Sequence, residues 1–232
     1  MADSAAAEAL RAGRMTVAEA REAQQRLRAE LVLEPPPGFA PRFAAGLDVS
    51  ADRFSRRGYA GIVVVDLETM ETVDQAGAAA DLTFPYVPGY LSFRELPPLL
   101  HAWERLHVRP DVLVFDGQGY AHPRRFGLAC HGGVLFGIPS VGCAKTRLLG
   151  EHDEPGRERG STAPLLHEGQ VVGAVLRTRD GVAPLYVSPG HRMDLATATA
   201  LVLRLTPRWR QPETTRRAHH LVNALRRAEK GG

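Results

Sequence analysis

Val112-Leu113-Val114-Phe115-Asp116-Gly117-Gln118-Gly119-Tyr120-Ala121-His122-Pro123 runs through four apolar residues, meets a carboxylate and then sheds its side chains at two glycines. A fully apolar run of this length predicts a strand buried on both faces, as in a parallel sheet covered by helices. Working outward, residues 91–107 have helical spacing, 123–135 suit a buried helix, and 138–144 suit a second buried strand. Helix and strand therefore alternate through the middle of the chain.

Upstream, residues 43–50 (FAAGLDVS), 59–66 (YAGIVVVD) and about 71–78 have strand length, and the short spacers between the last two predict antiparallel neighbours. Three antiparallel strands followed by αβαβ give an α/β class: a mixed sheet, a three-strand meander plus parallel strands, with helices on both faces. Thr16 to Glu19 is a capping-box pattern, which predicts an N-terminal helix over about 16–34, stopped by Pro35-Pro36-Pro37-Gly38. Residues 170–178 and 185–188 read as a hairpin, 193–205 and 212–230 as two closing helices, and about 150–169 as an exposed loop. With 232 residues and no internal repeat, one domain spanning 1–232 is expected.

Composition excludes several classes. At 44% hydrophobic and 24% charged residues, the chain is neither disordered, collagenous nor coiled coil. Cys130 and Cys143 are too few and too far apart for a disulfide framework or a CxxC pair, so a reducing, cytoplasmic setting is expected. The N-terminus carries Asp3 and Glu8 and has no long apolar stretch, unlike an export signal. The uncharged run 126–144 could span a bilayer by length alone, but five glycines, Pro139 and His131 mark it as buried core, and no membrane partner is expected. Net charge is +3, whereas residues 204–230 hold eight basic and two acidic side chains, +6. Such a segment suits a polyanionic partner, or a solvated arginine-rich helix face.

Asp48 and Asp116 sit at or near the ends of apolar strands, where a bare carboxylate is costly. Either alone suits a turn or cap; two on central strands, each followed by small residues, suit an oxygen-ligand pair for a hard cation as well as two separate turn or cap residues. Glu95, near the start of the 91–107 helix, is also a favourable helix-dipole residue. Lys145 and Lys230 are the only lysines among 29 basic residues, and Lys145 ends the uncharged run, which suits a compact charge against phosphate as well as a plain strand-end lysine. The loop after Asp116 starts like GxGxxG, but His122 replaces the third small residue and Pro123 follows, so the dinucleotide reading fails and no organic cofactor is expected. Gly117 and Gly119 leave bare backbone beside the proposed metal carboxylate. Pro85-Tyr86-Val87-Pro88 holds an aromatic between two prolines, stiff enough to wedge into a base stack or to plug a loop. Of His219 and His220, one can face inward while the other faces solvent; His131, His191 and both cysteines read as core, cap or loop residues, and no zinc site is expected.

Taken together, GLDVS (46–50), FPYVPGYLSFRE (84–95), DGQGYAHPRRFGLACHGG (116–133), GCAKTRL (142–148), SPGH (188–191) and RRAHH (216–220) closely resemble the endonuclease V family in order and spacing. The resemblance implies an RNase H-like fold, and catalysis by Asp48, Glu95, Asp116, His219 and Lys145. Asp48, Asp116 and Glu95 would bind Mg2+, which Mn2+ can replace, and Lys145 would contact the phosphate. Pro85, Tyr86, Val87 and Pro88 would separate the strands, backbone near Gly89, Gly117 and Gly119 would line a hypoxanthine pocket, and His122 would lie near the metal or scissile phosphate. The implied reaction is Mg2+-dependent hydrolysis of the second phosphodiester 3′ to deoxyinosine, leaving a 3′-hydroxyl and a 5′-phosphate. The implied partner is inosine-containing DNA, with single-stranded DNA and inosine RNA as further candidates, bound by a monomer. The alternatives are an RNase H-like nuclease for inosine RNA or flap and junction DNA, or a non-catalytic inosine-binding module. Val87, where the family usually has isoleucine, and Tyr90, where a smaller aliphatic residue is usual, are the departures; the second bears on the pocket.

Overall fold

The computed structural model of the chain describes Leu10, residues 15–51 and residues 56–231. Eight strands form one sheet: β1 (Phe43–Ala51), β2 (Arg57–Asp66), β3 (Thr72–Asp81), β4 (Val112–Phe115), β5 (Ser140–Ala144), β6 (Thr162–His167), β7 (Gln170–Leu176) and β8 (Leu185–Pro189). Their order is β3-β2-β1-β4-β5-β8-β7-β6; β1, β4 and β5 are parallel and the other pairings antiparallel. The helices are α1 (Val17–Arg28), α2 (Leu91–Trp103), α3 (Leu128–Phe136), α4 (Leu195–Arg204) and α5 (Glu213–Gly231). The expected mixed sheet with an antiparallel meander is present.

Alternation along β1, β2 and β4 splits the core. Ala45, Leu47, Ile62, Val64, Leu113 and Phe115 pack under α2 and α3, while Ala44, Val112 and Val114 face α4, and Val63 and Val65 face α5. Leu27 of α1 packs on Phe126, Cys130 and Val134, so α1 lies outside α3. Among the described residues, no helix is long and apolar enough to cross a membrane.

Several boundaries differ from expectation. α1 ends at Arg28 rather than near Glu34, because successive N–H groups from Ala29 to Leu31 turn back to carbonyls three residues earlier and the Val32 carbonyl then accepts from the N–H of Arg192. α2 stops at Trp103, short of residue 107: the Asp74 carboxylate takes the N–H groups of His107 and Val108 at 2.7 and 2.8 Å and draws the chain toward β3. α3 starts at Leu128 rather than 123 because Arg125 adopts φ +55. The expected loop 150–169 is shorter, since Thr162–His167 is β6, an edge strand whose Pro164 disguised it.

Candidate active site

Leu47 pairs with Phe115 across the parallel β1/β4 ladder, and the Asp116 N–H donates to the Leu47 carbonyl at 3.3 Å. Asp48 and Asp116 therefore leave neighbouring strands at one level. Both are largely covered, with side chains 10% and 14% exposed. Glu95 reaches the same place from the start of α2. Burial, reinforced by the charges of Asp48 and then Asp116, pushes Glu95 up to about 8. Burial and the Asp116 charge also raise Asp48, against the opposing hydrogen bond from His219.

α5 delivers that histidine by close approach. A Cβ on Gly46 would stand 2.1 Å from the Thr214 carbonyl carbon, and one on Gly61, the β2 partner of Asp48, would stand 2.8 Å from a Val222 methyl. Only bare backbone lets the helix lie this low on β1 and β2. His219 Nδ1 then meets Asp48 Oδ2 at 3.0 Å, while Asn223 Nδ2 donates to His219 Nε2 at 2.9 Å. This leaves Nδ1 to carry the proton toward Asp48. Lys145 Nζ pairs with Asp116 Oδ2 at 2.5 Å, and the Lys145 carbonyl accepts from Arg210 Nη2 at 3.0 Å. The structure thus brings Asp48, Glu95, Asp116, Lys145 and His219 together. His219 and His220 are both exposed rather than one facing inward, and His220 lies beside Arg216.

As placed, no three His, Cys, Asp or Glu side chains among the described residues converge closely enough to wrap one ion, since Asp116 is turned to Lys145 and Asp48 to His219. The donor chemistry nevertheless fits a hard divalent cation. Three all-oxygen donors, two of them raised first by burial and then by their neighbours' charges, form a cluster whose negative charge such an ion relieves.

Beside the carboxylates lies a cavity of about 180 Å³. It is lined by Tyr86, Val87, Pro88 and Gly89 from the segment before α2, by Gly117, Gln118, His122, Phe126 and Leu128, and by Leu148. Tyr86 is 47% exposed. Burial and then the Arg124 charge lower His122 to about 4, so its imidazole is neutral at physiological pH. Pro85 and Gly119 do not line the cavity. Gly119 is instead wedged against β8: its N–H donates to Ser188 Oγ at 2.8 Å, and a Cβ there would stand 2.2 Å from the Pro189 oxygen. Tyr90 is buried and also outside the lining, its ring 4.1 Å beneath the Arg124 guanidinium.

Gln118 was visible in the sequence only as the residue between two glycines. Its Nε2 donates to the Thr146 carbonyl at 3.1 Å, and its Oε1 is buried with no hydrogen-bond partner. Leu148, 56% exposed, gave only its place after Lys145 as a signal, and Phe126 and Leu128 looked like any core residue. His131 is structural: it is fully buried, meets Ser92 Oγ at 2.9 Å, and is held down to about 3 by burial. Both cysteines are buried free thiols.

Residues 25–220 match the family model for Endonuclease V. Endonuclease V of Myxococcus xanthus (strain DK1622) is 60% identical over 215 residues, covering 93% of this chain and 92% of that protein. The crystal structure of Endonuclease V from Streptomyces avermitilis superposes with a TM-score of 0.87 at 47% identity, over 92% of this chain and 95% of that one. Endonuclease V of Ciona intestinalis, crystallised with a 23-mer DNA containing an inosine followed by a ribo-adenosine, superposes at 0.79 with 26% identity, over 90% and 95% of the two chains. The sheet order is accordingly that of an RNase H-like fold. With agreement along nearly its whole length, the chain belongs to the Endonuclease V family and is an endonuclease, a hydrolase of nucleic acid.

Proposed function

We propose that the protein is a DNA-repair endonuclease that recognises deoxyinosine, formed by deamination of adenine, and hydrolyses the second phosphodiester bond 3′ to it, leaving a 3′-hydroxyl and a 5′-phosphate. The observation that carries this reading is adjacency: Asp116 belongs to the carboxylate cluster, and Gly117 and Gln118, the next two residues, line the cavity beside the exposed Tyr86. An enzyme that flips a base and cuts nearby needs a hydrolytic centre and a base-sized recess in that relation. The Ciona relative, solved with inosine-containing DNA, supports it.

Asp48 and Asp116, joined by Glu95, are the residues to hold Mg2+, with Mn2+ as a substitute. When bound, the ion supplies Lewis acidity for a nucleophilic water and neutralises charge growing on the phosphate. His219 keeps a proton at Nδ1 against one Asp48 oxygen, so that Asp48 would be held in place for the ion. Lys145, poised on Asp116, meets a non-bridging phosphate oxygen. The Pro85–Pro88 tip takes the place of the extruded base, and the cavity, with the orphaned Gln118 acceptor, receives that base. A 6-oxopurine offers an N–H at its ring edge, the donor such an acceptor selects. The basic segment 204–230 adds salt-dependent affinity for the phosphate backbone. The two free thiols agree with a reducing cytoplasm, where we place the protein as a monomer.

Nicking of matched oligonucleotides, with or without one deoxyinosine, in Mg2+ or EDTA and mapped at single-nucleotide resolution, tests the proposal. A Mg2+-dependent cut one nucleotide beyond inosine is expected; cleavage indifferent to inosine overturns it. An RNA arm belongs in the same experiment, because the nucleotide after the inosine in the Ciona complex is a ribo-adenosine. Faster RNA cleavage would favour inosine RNA as the substrate.

A further inference from the structure

α1 lies outside every motif that marks the site, yet one of its side chains reaches the cavity wall. Gln24 is 1% exposed, and each of its polar atoms is used. Nε2 donates to the Gly89 carbonyl at 3.2 Å and to the Phe126 carbonyl at 3.0 Å, while Oε1 accepts from Arg124 Nε at 2.5 Å. Arg124 closes the circuit: Nη2 donates to the same Gly89 carbonyl at 2.5 Å, and the guanidinium lies on the Tyr90 ring.

Gly89 and Phe126 both line the cavity, one at the end of the segment before α2 and the other in the segment before α3. Neither segment has regular structure at that point, and Gly89 has φ +80. Such backbone has no ladder of its own to fix its distance from a neighbour. A primary amide is the neutral side chain that can donate twice and accept once at a single terminus. From this we infer that Gln24 is a positioning residue for the base cavity: by bridging the carbonyls of Gly89 and Phe126 it sets the gap between these two lining segments, and so governs which base is accepted. The inference rests on the proposed inosine-directed reaction. It assigns to α1 a part in recognition, whereas hydrolysis stays with the sheet.

The test compares wild-type, Gln24→Met and Gln24→Glu full-length protein in steady-state nicking of deoxyinosine and deoxyuridine oligonucleotides, alongside thermal melts. Gln24→Met keeps the volume and removes the bridge. Gln24→Glu keeps the acceptor for Arg124, and with it the anchor of α1, but places carboxylate oxygens against two carbonyls. Both variants should raise the KM for deoxyinosine roughly tenfold, as expected when buried carbonyls lose their donors, and should narrow the preference for it over deoxyuridine. The kcat and the Mg2+ concentration for half-activation should stay within about twofold of wild type. If Gln24→Met fails to melt cooperatively, Gln24→Glu supplies the reading. Unchanged KM and preference in a folded variant, or a loss confined to kcat, overturns the inference; no inosine-dependent nicking by the wild type overturns the proposed reaction instead.

Discussion

His219 and Asp48, separated by 171 residues, meet at 3.0 Å, with the imidazole proton held on the side of the carboxylate by Asn223. The contact exists because two glycines let α5 lie against β1 and β2. His219→Ala should lower kcat by about a hundredfold while leaving inosine-DNA affinity within about twofold. Single-turnover cleavage and anisotropy binding read the two separately; an undiminished rate would take His219 out of the chemistry.

Asp116 is paired with Lys145 and contributes to the raised state of Asp48 and Glu95. Asp116→Ala should abolish Mg2+-dependent nicking, by about 10²–10³-fold or more, yet retain binding of deoxyinosine DNA. Wild-type nicking by this variant would remove Asp116 from the site.

Glu95 supplies a pH signature. Its folded value of about 8 lies above the ordinary 4.5, so the folded state holds a proton that the unfolded chain releases. The resulting stability is complete below about 4.5 and is lost as pH rises to about 8, and the raised Asp48 acts in the same sense. In metal-free buffer the melting temperature should carry this downward component across the window, and Glu95→Gln should flatten it. A cation displaces that proton, so apparent Mg2+ affinity should climb with pH toward about 8. Half-activation by Mg2+ independent of pH would argue that Glu95 is not a ligand.

Tyr86 is exposed at the rim of the cavity. Tyr86→Ala should reduce the preference for deoxyinosine over unmodified DNA by about tenfold or more without shifting the Mg2+ requirement, because stacking of an aromatic on a base is worth about 1–3 kcal/mol. Equal discrimination in variant and wild type would discard the wedge.

Gly46→Ala tests the seat of α5. A methyl 2.1 Å from the Thr214 backbone has no flexible side chain to push aside. Denaturant unfolding should show a loss of about 1–3 kcal/mol, accompanied by reduced nicking as His219 lifts from Asp48. An unchanged unfolding midpoint would mean that α5 shifts at little cost.

What could be read in advance followed a physical divide. Apolar strands announce themselves by continuity, so β1, β4 and the carboxylates Asp48, within β1, and Asp116, just after β4, were legible, as was the sheet built from them. β6 was not: Thr162 to His167 mixes Pro164 and polar residues and gains its order only by pairing with β7. Helix ends were overshot where a distant group, such as the Asp74 carboxylate, captures the chain. Within the site, charged side chains stood out because their burial demands a reason. Gln24 and Gln118 did not, since a neutral amide becomes informative only when its partners, 65 and 28 residues away in sequence, are in view.

The parallel pairing of Leu47 with Phe115 has an evolutionary corollary. Because the spacing of Asp48 and Asp116 is a property of hydrogen-bonded strands, drift in the connecting loops leaves the cutting machinery in tune. The cavity lining at Tyr86–Gly89 hangs on a separate loop outside the sheet. With Phe84 and Tyr90 buried as anchors, residues 85–88 between them are the segment to vary when redirecting the enzyme to another damaged base.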